Sequence, residues 1–233
     1  MYISWLQKLS LIDYPGNIAC IVFTPGCNLR CGYCHNPDFV LPERIQKLKN
    51  SWMNEELFFD FLKKRQWLID GVSICWGEPT LQGDIIPFCE RVHSMGFSIK
   101  LDTNGTNPHV LQDLLKRKII DYVAMDIKDI WGWYENLTGI CMDIEKYKES
   151  AHIIIAHAPQ YEFRTTVIAW VHTPESIWII ASYIQGASNY FLQNYRPKDT
   201  LNPNFIGSSV SDEILIKMQS QALYFVKKCE IRN

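Results

Sequence analysis

The stretch CNLRCGYCHN, residues 27–36, places Cys27, Cys31, Cys34 and His35 within ten positions. Thiols and an imidazole at that density ligate metals, and three chemistries compete for them. Cys31-Gly-Tyr-Cys34-His35 has the C-x-x-C-H spacing of c-type haem attachment. The four side chains together would make a Cys₃His zinc site. The three thiolates alone would hold an iron–sulfur cluster.

Ligand count weighs these readings against one another. A structural zinc site takes four protein ligands, commonly as two separated pairs. No second C-x₂-C follows here, and His35 sits directly beside Cys34, which suits one small tetrahedral ion poorly. Haem needs a further axial ligand and an export route. A four-iron cluster usually takes four cysteines. A loop that supplies three leaves one iron open, and an open metal position is what catalytic sites keep.

The elements around this loop follow from periodicity. Residues 17–26, 71–77, 97–105, 121–129, 161–170 and 190–197 read as six strands, each a short apolar or β-branched run ending in turn or charged residues. Helical patterns alternate with them at 54–68, 83–96, 108–118, 143–158, 173–186 and 211–229, with Asn54, Thr173 and Ser211 as caps. Such alternation predicts an α/β fold with parallel strands. It leaves open an open doubly wound sheet or a partial (β/α)₆ barrel, both of which gather functional groups at the C-terminal ends of the strands. The cysteine loop follows the first strand, WGEP (76–79) the second and DTNG (102–105) the third, and DIK (126–128) ends the fourth. Residues 1–233 read as a single domain, with 1–16 as an N-terminal extension shaped as a hairpin.

Bulk composition narrows the class. Hydrophobic residues are 47% and charged residues 21%, and the formal net charge is −2. That suits a soluble globular protein and gives no basic stripe for nucleic acid. No apolar run approaches the ~20 residues that span a bilayer. The first residues lack the basic start and unbroken apolar core of a secretory signal, so a cytoplasmic setting is expected, where clustered cysteines ligate metals.

C-x₃-C-x₂-C after a first strand resembles the signature of radical S-adenosylmethionine (SAM) enzymes. The resemblance implies a partial (β/α)₆ barrel with a [4Fe–4S] cluster on Cys27, Cys31 and Cys34. SAM would chelate the open iron, and one electron would cleave it to a hydrogen-abstracting 5′-deoxyadenosyl radical. WGEP is similar to the family's G-G-E-P segment, so Gly77 and Glu78 would meet SAM, with Glu78 facing its amino group. Trp76 stands where the family has glycine, which permits φ angles that Trp resists.

LDTNG and DIK further resemble the activating enzymes of glycyl-radical enzymes. This implies a SAM site built by Asp102, Thr103, Asn104, Asp126 and Lys128, with Arg164 on the fifth strand and Tyr33 near the adenine. It also implies a monovalent cation held by Asp102, Asp126, the Thr103 hydroxyl and the Ala124 carbonyl. Residues 6–40 are most similar to activating proteins of anaerobic ribonucleoside-triphosphate reductases. The implied partners are that glycyl-radical enzyme and a flavodoxin-like electron donor, with neither nucleic acid nor membrane. A radical SAM enzyme for another peptide or small molecule is the alternative, and a zinc-stabilised binding module a distant one. No further cysteine group lies between residues 36 and 71, so one cluster is expected. The aromatic run at 131–139 reads as a short helix on the barrel rim rather than a partner surface.

Overall fold

The structure, a computed structural model, describes residues 1–141 and 143–232. Among these, eight strands form one sheet in chain order: β1 Trp5–Ser10, β2 Ala19–Phe23, β3 Gly71–Cys75, β4 Ser98–Thr103, β5 Tyr122–Asp126, β6 Gln160–Val167, β7 Tyr190–Asn194 and β8 Cys229–Arg232. All neighbours pair in parallel except β1, which runs antiparallel to β2. The sheet ends at β1 and β8, so it is a parallel barrel left open along one side.

The six expected parallel strands are β2 to β7. The two additional strands lie at the edges. The N-terminal extension contributes one strand, β1, which pairs antiparallel with β2, so the hairpin runs on to Phe23 rather than lying within residues 1–16. The last helix stops at Ala222 rather than 229, because the chain turns at Leu223 and Cys229 then pairs with Tyr190 of β7. A four-residue strand is too short to display an alternation that sequence periodicity can detect.

Eight helices are described: α1 Pro42–Leu48, α2 Glu55–Lys63, α3 Ile85–Ser94, α4 Pro108–Lys116, α5 Tyr134–Thr138, α6 Ile144–His157, α7 Pro174–Tyr183 and α8 Asp212–Ala222. The caps are physical. Asn54 accepts from the Glu56 amide, Thr173 forms a capping box with Ser176, and Ser211 accepts from the Ile214 amide. Trp131 and Tyr134 pack inward on Tyr183 and Tyr147, as a rim helix requires.

Strand periodicity divides the sheet into two faces. Val72, Ile74, Ile99, Leu101, Val123, Met125 and Phe163 join the core with Phe58, Phe88, Leu114, Ile154 and Ile177 of the helices. The alternate residues, among them Ser73, Cys75, Lys100, Asp102, Asp126 and Arg164, are polar or charged, and most of them line a cavity on the other face. A covered outer face and a charged inner face are what a barrel with an internal site demands.

Candidate active site

The cysteine loop is tied down by its backbone. The Arg30 amide donates to Thr138 O at 2.7 Å and its guanidinium to Cys27 O at 2.6 Å. The Leu201 and Asn202 amides donate to Cys34 O and Gly32 O. Asn28 donates to the Thr106 hydroxyl at 2.9 Å and accepts from the Asn104 amide side chain at 2.9 Å. Leu29, Cys31 and Tyr33 of the loop form a small apolar cluster with Leu137, Ile168 and Tyr195.

Cys27, Cys31 and Cys34 open onto one cavity of about 360 Å³, together with Glu78, Asp102, Thr103, Asn104, Asp126, Lys128 and Arg164. Ten of the twelve residues named from the sequence for catalysis or cofactor contact are thus gathered in one place, and Tyr33 and Gly77 line it too. All three cysteines are unpaired thiols. Burial pushes Cys27 up to about 12 and Cys31 to about 11, and raises Cys34 as well. Iron must therefore displace protons when it binds. Three convergent soft donors with an adjoining polar cavity fit a cluster with one open iron. Among the described residues no three His, Cys, Asp or Glu side chains, these cysteines included, are grouped closely enough to hold one metal ion, and a cluster spreads its thiolates over different irons. His35 stacks against Tyr195 with ring centroids 5.4 Å apart.

The WGEP turn keeps the geometry that a glycine pair would adopt. Trp76 has φ +59° and Gly77 φ +56°, both left-handed. For a bulky residue this costs about 1–2 kcal/mol. Trp76 offsets it by packing on Phe23 and Phe39, at 4.3 and 5.0 Å between centroids. Its carbonyl accepts from the Thr24 hydroxyl at 2.6 Å. Gly77 has no such latitude, since a Cβ there would lie 2.4 Å from Gly26 O and 2.6 Å from Thr24 O. Gly77→Ala is expected to push the cysteine loop outward. A lower melting temperature and reduced iron content on anaerobic reconstitution would record it, and wild-type values for both would refute it.

Glu78 is held by more partners than its place in the chain announces. It is 1% exposed. Its Oε1 accepts from the Thr80 amide and hydroxyl and from the Thr103 hydroxyl, and its Oε2 from the Asn104 amide at 2.6 Å. Burial raises its pKa, and these donors oppose the rise. The side chain spends most of its acceptors joining the ends of β3 and β4, which leaves one lone pair on Oε2 for a ligand ammonium.

The charged residues form one network across β4, β5 and β6. Arg164 donates from Nε to Asp126 Oδ1 and from NH1 to Asp102 Oδ2, both at 2.8 Å. Lys128 lies 3.3 Å from Asp126 Oδ2 and its ammonium stands over the Tyr33 ring at 5.9 Å. Tyr33 itself packs against Phe205, so a loop-packing role is present alongside any ligand contact. Burial alone would raise the Asp126 carboxyl, but Arg164 and Lys128 hold it at about 2.

Sequence reasoning missed Lys100, Glu162 and Arg232. Lys100 pairs with Asp102, and Glu162 accepts from Arg232 at 2.9 and 2.7 Å and from Tyr122 at 2.8 Å. A signal existed for two of them. Lys100 and Asp102, like Glu162 and Arg164, are two apart on one strand and so share a face. Arg232 carried none, since its strand was not anticipated.

Comparison with known proteins bears on this site. The profile of the Radical SAM superfamily matches residues 21–168. A Methanocaldococcus jannaschii protein assigned by name to the glycyl-radical enzyme activating enzymes is 36% identical over 210 residues, covering 87% of this chain and 83% of its own. The pyruvate formate-lyase-activating enzyme of Staphylococcus aureus is 32% identical over 194 residues, covering 79% of this chain and 68% of its own. The crystal structure of Streptococcus suis SuiB bound to its precursor peptide SuiA superposes with a TM-score of 0.65 at 15% identity, over 91% of this chain and 48% of that one, a likeness of fold.

Proposed function

The chain belongs to the radical SAM superfamily, and from that premise we propose that it installs the glycyl radical of an anaerobic ribonucleoside-triphosphate reductase. As a radical SAM enzyme of the glycyl-radical activating group, it works with a [4Fe–4S] cluster and S-adenosylmethionine. The partner is a glycyl-radical enzyme. Its identity as the reductase, a flavodoxin-like electron donor and the single-domain organisation of residues 1–233 are the finer parts of the proposal. Among the described residues no helix is long and apolar enough to cross a membrane.

One observation carries the reading: the three cysteines and the strand-end groups of β3 to β6 face one cavity. Cys27, Cys31 and Cys34 would hold the cluster. Lys128 and Arg164 would meet the carboxylate of SAM, and the spare lone pair of Glu78 its ammonium. Gly77 and Asn104 would shape the backbone beside it, and Asn104 also approaches Cys27 Sγ at 3.9 Å. When bound, the cluster and SAM supply one-electron cleavage of a sulfonium bond and the power to take a hydrogen atom. The chain's own part is to bind, orient and exclude water. A loop of the partner would reach the cavity by the side where the sheet is not closed between β1 and β8.

The test is anaerobic. Reconstituted protein, SAM, a reductant and the reductase are mixed, and the paramagnetic resonance spectrum should develop a glycine-centred doublet. SAM cleavage with no such radical on the reductase, but with turnover of another peptide or small molecule, would favour the alternative substrate class.

A further inference from the structure

The expected monovalent cation meets carboxylates that side-chain cations already occupy. Asp102 Oδ1 bonds the Lys100 ammonium and its Oδ2 the Arg164 guanidinium. Asp126 Oδ1 bonds Arg164 and its Oδ2 bonds Lys128. The Thr103 hydroxyl donates to Glu78 at 2.8 Å and accepts from the Gly105 amide at 3.1 Å. Ala124 sits mid-strand, paired with Asp102 on one side and Glu162 on the other, where carbonyls serve the sheet ladder. A hard cation needs several oxygen ligands, and every Asp oxygen here already faces a side-chain cation that a metal ion would have to displace or stand against.

Charge argues the same way. Asp102, Asp126 and Glu162 face Lys100, Lys128, Arg164 and Arg232, three carboxylates against four cations, so this network is already positive by one charge. An added metal ion would enter against that charge. Lys100 is 3% exposed, and so is fixed beside Asp102 rather than free in solvent. We infer that the positive charge this site needs is built into the chain: the Lys100 ammonium and the Arg164 guanidinium occupy the Asp102 oxygens that would otherwise recruit a potassium or sodium ion, Arg164 and Lys128 face the cavity, and the enzyme needs no alkali cation. The inference rests on reading this cavity as the SAM site.

Two measurements separate the inference from that reading. In the first, SAM affinity of the reduced, loaded enzyme is followed by paramagnetic resonance in tetramethylammonium buffer, with and without potassium. Wild type should bind equally in both. Lys100→Met should bind about 10- to 100-fold more weakly without potassium, the loss of one charged contact, and recover when potassium or ammonium is added. In the second, equilibrium dialysis with rubidium on the metal-free protein should show uptake by Lys100→Met and none by wild type.

A wild-type enzyme whose SAM binding collapses without potassium would overturn the inference and leave the site reading standing. That result needs no variant, so it holds even if Lys100→Met folds poorly. Rubidium uptake by wild type would overturn the inference as well. Absence of SAM binding by wild type in every buffer would instead overturn the site reading, with dialysis still deciding the cation question.

Discussion

Alanine at Cys27, Cys31 or Cys34 is expected to leave a folded chain that holds almost no iron. Each substitution removes one of three ligands from a cluster that already lacks a fourth protein thiolate, so nothing in the loop can replace it. The fold should survive, because the loop is anchored through Arg30, Asn28 and the carbonyls of Gly32 and Cys34 rather than through sulfur. Iron content after anaerobic reconstitution should drop from about four per chain to a small fraction, with loss of the brown chromophore. Cys89→Ala is the matched control. Its thiol is fully buried in the core and does not line the cavity. It should cost stability on the order of 1 kcal/mol and keep the iron. Near-complete loading of Cys31→Ala, or loss of iron from Cys89→Ala at full folding, would break the ligand assignment.

Arg164→Ala should produce the largest loss of stability among the site residues. The guanidinium bridges Asp102 and Asp126 and lies 3.8 Å from Glu162, with its side chain only 14% exposed. Removing it strands carboxylates whose remaining cations, Lys100, Lys128 and Arg232, each serve one of them. Breaking such a pair from one side costs about 3–5 kcal/mol, and the lower end applies because those cations stay. For a chain of this length that lowers the melting temperature by roughly 6–12 °C.

The pH dependence carries a sign. The folded Asp126 carboxyl is depressed to about 2, against a reference near 3.9. Its contribution is full above the reference value and fades as pH falls toward 2. The gap between wild type and Arg164→Ala should therefore be widest at neutral pH and close between about pH 4 and pH 2. A gap that is constant down to pH 2 would mean that Arg164 acts by packing alone.

Much of this molecule is set by local rules that a linear reading can apply. C-x₃-C-x₂-C determines how many thiolates one loop can offer, whatever surrounds it. Parallel strands follow from alternation, and the starts of α2, α7 and α8 from Asn54, Thr173 and Ser211, whose side chains bond amides two or three residues on. Period two puts Lys100 on the face of Asp102. These are interactions between near neighbours, and spacing encodes them.

What tertiary structure decided is which groups finish each other's hydrogen bonds across strands. Nothing adjacent in the chain announces that Thr103 and Asn104, 25 and 26 residues away, take up most of the Glu78 acceptors and leave one lone pair for an ammonium. The cation partners of Asp102 and Asp126 are hidden from the linear chain in the same way. Only the register that sets Asp126 beside Arg164, and Ala124 between Asp102 and Glu162, brings one guanidinium within reach of both carboxylates. A charge read along the chain shows its sign and its face. Its partner depends on strand order and register, and those are settled by how the helices pack on the outside of the sheet.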